Sequence, residues 1–285
     1  MVDIIKTFTF LVITTLLCTG SVLIAQLPDG TRSTEEWIEK IRKNWEEEEK
    51  TEFNESDVRY SANLSVIAYV IRDINGSDNC TEEAVKEAIE RVNGFFDPLH
   101  VMFSLQPIVY VNDYTFASVS DTGNWNELVT LNSAEKTVNL YLVESARADT
   151  TLCYGFTFFP DDTIRNYIFL DKKYLMGNYL VTLMGHFFGL LSTHDTLGGY
   201  ENANEINCAE SGDFICDTWA DPNLFGWVDS LCTYSGDMLD PLGDDYVPSV
   251  ANLMSESYDA CKCIFTSQQY RRMLFCLKKY RYYLR

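Results

Sequence analysis

The stretch Thr182-Leu-Met-Gly-His-Phe-Phe-Gly-Leu-Leu-Ser-Thr193 decides how the rest of the chain is read. Its apolar residues leave no polar face, so a helix here must be buried all round. The pattern predicts that helix over about Gly177 to Phe188. Gly189 then supplies the residue type at which a helix can end in a left-handed turn. His186 is the one side chain in the helix that titrates near neutral pH. A lone histidine on an apolar helix is more often a hydrogen-bonded core residue than a metal ligand. The stretch by itself therefore assigns no chemistry.

The sequence on either side has two characters. Downstream, residues 190 to 262 are rich in Asp, Gly, Asn and Cys and show no periodicity, so they predict an irregular region. Thr266 then opens a last helix, with Tyr270, Met273, Leu274 and Leu277 on one side. Upstream, Ala62 to Arg72 reads as a strand. Thr81 caps a helix reaching about Phe96, with Val85, Ile89 and Val92 at helical spacing. Two strands are expected within Val101 to Val111, and others at Thr137 to Val143 and Tyr167 to Asp171. Cys153 to Pro160 reads as an irregular strand near a sheet edge. Residues 34 to 50 predict an amphipathic helix with Trp37, Ile38, Ile41 and Trp45 inward, resting on the main domain, and the Glu46 to Glu49 run as a solvated face. The fold class is α+β: a mixed twisted sheet with two main helices in the N-terminal half, then an irregular disulfide-rich half ending in a helix.

The N-terminus reads as a targeting segment. Lys6 precedes an apolar run from Phe8 to Ala25, followed by Gln26, Pro28, Asp29 and Gly30. That arrangement predicts a signal peptide over residues 1 to 25 and a secreted product, with membrane attachment only if the segment stays uncleaved. The expected organisation is a signal peptide at 1–25, a helical segment at 26–60 and one main domain at 61–285. Nine cysteines agree with export. Cys18 lies in the signal segment, and the even remainder predicts disulfides, with five of the eight falling between Cys208 and Cys263. Asn54, Asn63, Asn75 and Asn79 head glycosylation sequons. The net charge of −20 argues against binding nucleic acid or an anionic membrane surface.

Four more segments follow in order around the opening stretch: Gly212-Asp-Phe-Ile-Cys-Asp-Thr-Trp-Ala-Asp-Pro222, Cys232-Thr-Tyr234, Asn252-Leu-Met-Ser255 and Phe265-Thr-Ser-Gln-Gln-Tyr-Arg-Arg-Met273. Together they resemble the pappalysin family of metzincin metallopeptidases, over about residues 62 to 275. Metzincins carry H-E-x-x-H-x-x-G-x-x-H and, further on, a methionine turn. Two of those histidines sit on one helix face and share a zinc ion, and the glutamate takes a proton from the zinc-bound water. The glycine lets the chain turn so that a third histidine reaches the metal.

The resemblance implies that His186 stands at the second zinc-ligand position, Gly189 at the turn and Met254 at the methionine turn. The first ligand position is Thr182, the general-base position Leu183 and the third ligand position Ser192. A family tyrosine that helps stabilise the reacting carbonyl is replaced by Glu256. The family reaction would be zinc-dependent peptide-bond hydrolysis. With His186 a vestigial zinc position and no residue able to act as base, this chain is expected to be an inactive, secreted homologue that keeps its cleft for a protein or peptide ligand. Two other readings stand beside it: an active zinc endopeptidase with an unusual ligand set, for which His194 is the candidate extra ligand, and a structural module with a filled cleft. The resemblance also implies a calcium site around Asp213, Asp217 and Thr218, whose oxygen donors suit that ion. It favours bridges within the set Cys208, Cys216, Cys232 and Cys261 or Cys263.

Overall fold

The computed structural model describes residues 26–51, 61–160 and 165–285. The proposed signal segment 1–25, Cys18 and the Asn54 sequon lie outside the described residues. The first helix, α1 (Glu35–Glu49), is capped by the Thr34 side chain and buries Trp37, Ile38 and Ile41. Strand β1 (Ala62–Ile71) follows, then helix α2 (Glu82–Phe96), with the Thr81 hydroxyl accepting from Ala84 N. Strands β2 (Val101–Leu105), β3 (Val109–Val111) and β4 (Ser118–Ser120), helix α3 (Trp125–Leu131) and strand β5 (Val138–Val143) come next. Strands β6 (Ser145–Ala148), β7 (Thr151–Cys153), β8 (Gly155–Thr157) and β9 (Tyr167–Asp171) complete the sheets. Helix α4 (Tyr179–Phe187) and helix α5 (Ser267–Lys279) flank the irregular half.

The main sheet has the order β2-β1-β5-β9-β8, with β3 also paired to β1. Its pairs are parallel except for β8, which runs antiparallel to β9 at one edge. β5 reads Val-Asn-Leu-Tyr-Leu-Val and is buried at every position, as expected of a central strand covered on both faces. One face packs against α2 and α4 in a core that includes Leu64, Val92, Leu140, Leu170 and Leu183. The other carries Tyr69, Tyr141 and Phe169, whose rings stack at 4.9–5.0 Å. The chain thus has the α+β architecture anticipated above, a mixed sheet with helices followed by an irregular half that ends in a helix. A small second sheet, β4-β6-β7, and helix α3 were not anticipated: strands of three or four residues are too short to show periodicity.

The cysteine expectation is met within the favoured set. Two disulfides form, Cys208–Cys216 and Cys232–Cys261, both stapling the irregular half. Cys80, Cys153 and Cys276 keep free thiols. Cys153 and Cys276 are buried among apolar side chains and behave as small hydrophobes. Burial pushes the Cys153 thiol up to about 12.

The Glu46–Glu49 run departs from expectation. Glu48 is buried, because Arg272 of α5 reaches it with Nε at 2.9 and 3.1 Å from its two carboxylate oxygens. The same guanidinium donates to the carbonyls of Asp213 and Phe214, at 2.7 Å each. One arginine thereby ties α1, α5 and the irregular half together.

Candidate functional site: a helix, a methionine turn and a segment in the groove

Helix α4 crosses beneath edge strand β8 with all nine residues buried. It ends at Gly189, whose φ is +92°. A Cβ there would lie 2.5 Å from Cys276 Sγ and 2.7 Å from a ring carbon of Trp37, so close packing and backbone conformation both demand glycine. Trp37 Nε1 donates to the Gly189 carbonyl at 3.3 Å, seating α1 on the turn. Under the helix, Met254 Sδ lies 2.6 Å from where a Cβ on Gly185 would be. The chain after the turn is held to that methionine by Thr193 N donating to Met254 O at 3.1 Å.

The positions that would carry chemistry are occupied as follows. Thr182 is buried and its hydroxyl donates to Leu253 O at 2.8 Å, which places it in the packing of the methionine turn. Leu183 is fully buried, its Cδ1 lying 2.7 Å from a notional Cβ on Gly155 of β8. His186 Nδ1 pairs with Leu190 O at 2.6 Å. A carbonyl can only accept, so Nδ1 carries a hydrogen and Nε2 is the nitrogen turned toward the groove. His194 lies close enough for the charge of His186 to act on it, yet its Nδ1 is buried without a partner. Burial first, and then the neighbouring imidazole, push His194 down to about 4.

Residues 26 to 33 run through the groove between β8 and the methionine turn. Tyr154 N donates to Pro28 O at 3.2 Å and Gly30 N to Gly155 O at 2.9 Å, so the segment pairs with the sheet edge. Gly30 fits there because a Cβ would meet Cys153 Sγ at 2.4 Å and Gly155 O at 2.8 Å. Gln26 Nε2 donates to the Glu256 carbonyl at 2.8 Å, and Asp29 N donates to Glu256 Oε1 at 2.9 Å.

The Asp29 side chain then points at His186. Its Oδ2 lies 3.4 Å from His186 Nε2, with both side chains at most 5% exposed. It also accepts from the Tyr154 hydroxyl, and Oδ1 accepts from Thr31 N at 2.6 Å. Burial works to raise the Asp29 carboxyl. The neighbouring His186 ring, with the Tyr154 and Thr31 donors, outweighs it and holds the group below its ordinary value. Glu256 is pushed up to about 7, chiefly by burial and also by Asp29, against the pull of Lys262. The groove expected to stand open thus holds the chain's own segment.

These donors do not make a catalytic zinc site. Among the described residues no group of three or more His, Cys, Asp or Glu side chains is placed to hold a metal ion. His186 Nε2 faces a carboxylate, and the Thr182 hydroxyl is spent on a backbone carbonyl.

A second acidic site is built from loops of the irregular half. Asp213 is fully buried. Its Oδ1 accepts from Ile215 N at 3.0 Å and from the Thr218 hydroxyl at 3.1 Å, while Oδ2 has no partner. Glu201 lies against Gly212, with both carboxylate oxygens buried and unpaired. Burial, reinforced by the Asp213 charge, pushes Glu201 up to about 9. Burial pushes Asp213 up to about 7 in spite of Arg272. Asp217 stands apart, its Oδ2 accepting from Gln268 N at 2.9 Å. Two carboxylates with orphaned oxygens are what a bound cation would resolve.

Asp29 and Glu201 are the residues that sequence reasoning missed. Neither belongs to a motif segment, and the spacing of neither predicts its partner. No family model matches the chain. It is similar to an extracellular metalloprotease of Arthroderma gypseum, 24% identical over 269 residues, an alignment covering 89% of this chain and 85% of that one. Its fold is similar to mirolysin in complex with compound 9, at a TM-score of 0.53 and 17% identity over 75% of this chain and 90% of that one. Mature mirolysin of Tannerella forsythia in complex with a cleaved peptide matches at 0.52, with the same identity and coverage.

Proposed function

We propose that this is a secreted, metallopeptidase-like protein of the pappalysin type that has lost catalysis and whose groove is filled by its own residues 26 to 33. The observation that carries the reading is the pairing of His186 with Asp29 at 3.4 Å, where a metal and a water would have to be. Leu183, at the general-base position, has no proton acceptor, and general-base catalysis is worth roughly 10²–10⁴-fold. Likeness to an extracellular metalloprotease supports both secretion and a peptidase ancestry. The domain organisation follows: a signal peptide at 1–25, a strap and helix at 26–60, and the peptidase-fold domain at 61–285. Asn63, Asn75 and Asn79 are exposed and are the proposed glycan sites.

The test uses the purified secreted protein and its Asp29→Ala variant. Zinc is measured by elemental analysis, and cleavage is followed on a broad peptide library. Neither protein should hold stoichiometric zinc or cleave. Stoichiometric zinc with chelator-sensitive cleavage in either would overturn the reading, and in the variant alone it would mark the segment as the sole block.

We further propose calcium as the cation of the second site, held by Asp213 and Glu201 with Thr218 beside them and Asp217 outside. Oxygen donors on loops suit calcium. The ion would relieve the repulsion of two buried carboxylates and join residues 201 and 213.

A further inference from the structure

Residues 223 to 235 form a small hairpin that takes no part in the groove or in the Glu201 and Asp213 pair. Val228 and Tyr234 face each other across it, with Asp229 N donating to Thr233 O at 3.1 Å and Ser235 N to Trp227 O at 2.9 Å. The Cys232–Cys261 bridge staples its second arm to the irregular half, where Leu224 and Val228 are buried with Cys261. Side chains alternate along an extended arm, so Trp227 and Asp229 point away from the face that Val228 buries. Phe225 is 40% exposed, Trp227 43% and Leu231, at the tip, 82%. Single exposed apolar residues are ordinary on a protein surface, but three large ones within seven positions of a stapled loop make a patch.

The backbone of the tip decides what it can enter. In lipid, N–H groups must find their acceptors within the chain. Leu231 N and Thr233 N both donate to Asp229 Oδ1 at 2.9 Å, and Cys232 N donates to Asp229 O at 3.0 Å. Phe225 N donates to Asn223 Oδ1 at 2.9 Å and Trp227 N to Leu224 O at 3.0 Å. A tip bonded in this way leaves water without stranding those donors. Tryptophan, amphipathic and rigid, settles at the headgroup level of a bilayer. Charge then selects the lipid. Residues 174 to 261 hold fourteen carboxylates and no Lys or Arg, a field that repels anionic headgroups. Choline is attracted instead, because a quaternary ammonium binds over aromatic faces and Asp229 lies on the same face as Trp227. We propose that this hairpin is a peripheral anchor for phosphatidylcholine surfaces, with Phe225, Trp227 and Leu231 entering the interface. Anchoring there needs neither metal nor cleavage, so this inference stands or falls separately from the proposed loss of catalysis.

The test is flotation of the intact secreted protein with vesicles of pure phosphatidylcholine, and with vesicles in which about a third of the lipid is phosphatidylserine. Chelator is present throughout, so that calcium cannot bridge carboxylates to phosphate. The protein should float with phosphatidylcholine, and at least tenfold less with the anionic mixture. The triple variant Phe225→Ser, Trp227→Ser and Leu231→Ser should lose at least tenfold in partitioning. The control triple variant Met102→Ser, Tyr114→Ser and Leu131→Ser removes as many exposed apolar side chains elsewhere and should stay within twofold. Vesicles with brominated acyl chains should quench the tryptophan fluorescence of the unaltered protein, and Trp227→Phe should diminish that quenching while still floating. Thermal melting confirms that the variants fold. Absence of flotation with phosphatidylcholine would overturn the proposal and leave the tip to a protein partner. Stronger flotation with the anionic mixture, equal losses in the two triple variants, or undiminished quenching in Trp227→Phe would overturn it as well.

Discussion

At the residue scale, two glycines and one aspartate set limits that point substitutions can check. Gly189 and Gly76 both have positive φ, at +92° and +77°, but a Cβ at Gly76 meets nothing within 4 Å whereas one at Gly189 meets Cys276 and Trp37. Gly76→Ala should therefore cost only the backbone strain, roughly 1 kcal/mol. Gly189→Ala adds a steric clash in a packed interior and should cost on the order of 3 kcal/mol or more. Urea denaturation of the two variants separates them, and equal losses would mean that Trp37 does not press on the turn. Asp29→Ala removes the carboxylate that accepts from Tyr154 and faces His186. Leaving buried polar groups unpaired costs about 1–3 kcal/mol. The loss should also appear locally, as faster amide exchange at Gly30, whose N–H donates to Gly155 O.

Much of this scale was legible in the sequence and some was not. Gly189 and Met254 stand out in the sequence only through the resemblance of the segments around them to a known family. Asp29 does not stand out, since its partners Tyr154, His186 and Glu256 are more than a hundred positions away and no local period records such a meeting. Glu201 escaped for the same reason, its neighbour Asp213 being brought to it by turns and by the Cys208–Cys216 bridge.

At the scale of elements, the longer helices and strands announced themselves. Thr81 and Thr266 are the caps of α2 and α5, and Gln269 completes a capping box with Thr266. Failure came where an element is short, as in β4, β6 and β7, or where a charged run hides one buried member, as at Glu48. The contact between α1 and α5 rests on that member. Arg272 is fully buried and makes four hydrogen bonds of 2.7–3.1 Å to Glu48, Asp213 and Phe214. Removing one partner of a buried pair strands the other, at about 3–5 kcal/mol. Glu48→Ala should thus destabilise strongly. Arg272→Met should do the same and also loosen the loop around Asp213. Glu48→Ala together with Arg272→Met should cost less than the sum of the two single changes, because neither charge is then left alone. Chemical denaturation of all four proteins measures the coupling, and strict additivity would show that the pair contributes nothing beyond its separate contacts.

At the scale of the whole molecule, the buried carboxylates decide how stability depends on pH and on calcium. Burial raises Asp221 to about 6 and Glu256 to about 7 in the folded chain, with Glu256 also repelled by Asp29. A raised carboxyl binds its proton more tightly when folded than when unfolded, so its contribution is present at low pH. That contribution is lost as pH rises from the ordinary carboxylate range through the folded value. With chelator present, stability should therefore fall from about pH 4 through pH 7 and on toward pH 9, where Glu201 is the last to ionise, and Glu256→Gln should flatten the part of that fall nearest pH 7. At a fixed pH of 7, the Glu201 and Asp213 pair gives the calcium dependence. Adding calcium should raise the melting temperature by several degrees, since a ligand at a hundred times its dissociation constant stabilises the folded state by about 2.7 kcal/mol. Glu201→Gln should remove most of that rise while making the calcium-free protein more stable, because an amide is neutral without the proton that the buried Glu201 carboxyl must take up on folding. A calcium-induced rise that survives Glu201→Gln would place the ion elsewhere. A calcium-free protein made less stable by the same substitution would mean that the Glu201 carboxylate is already satisfied in the folded chain.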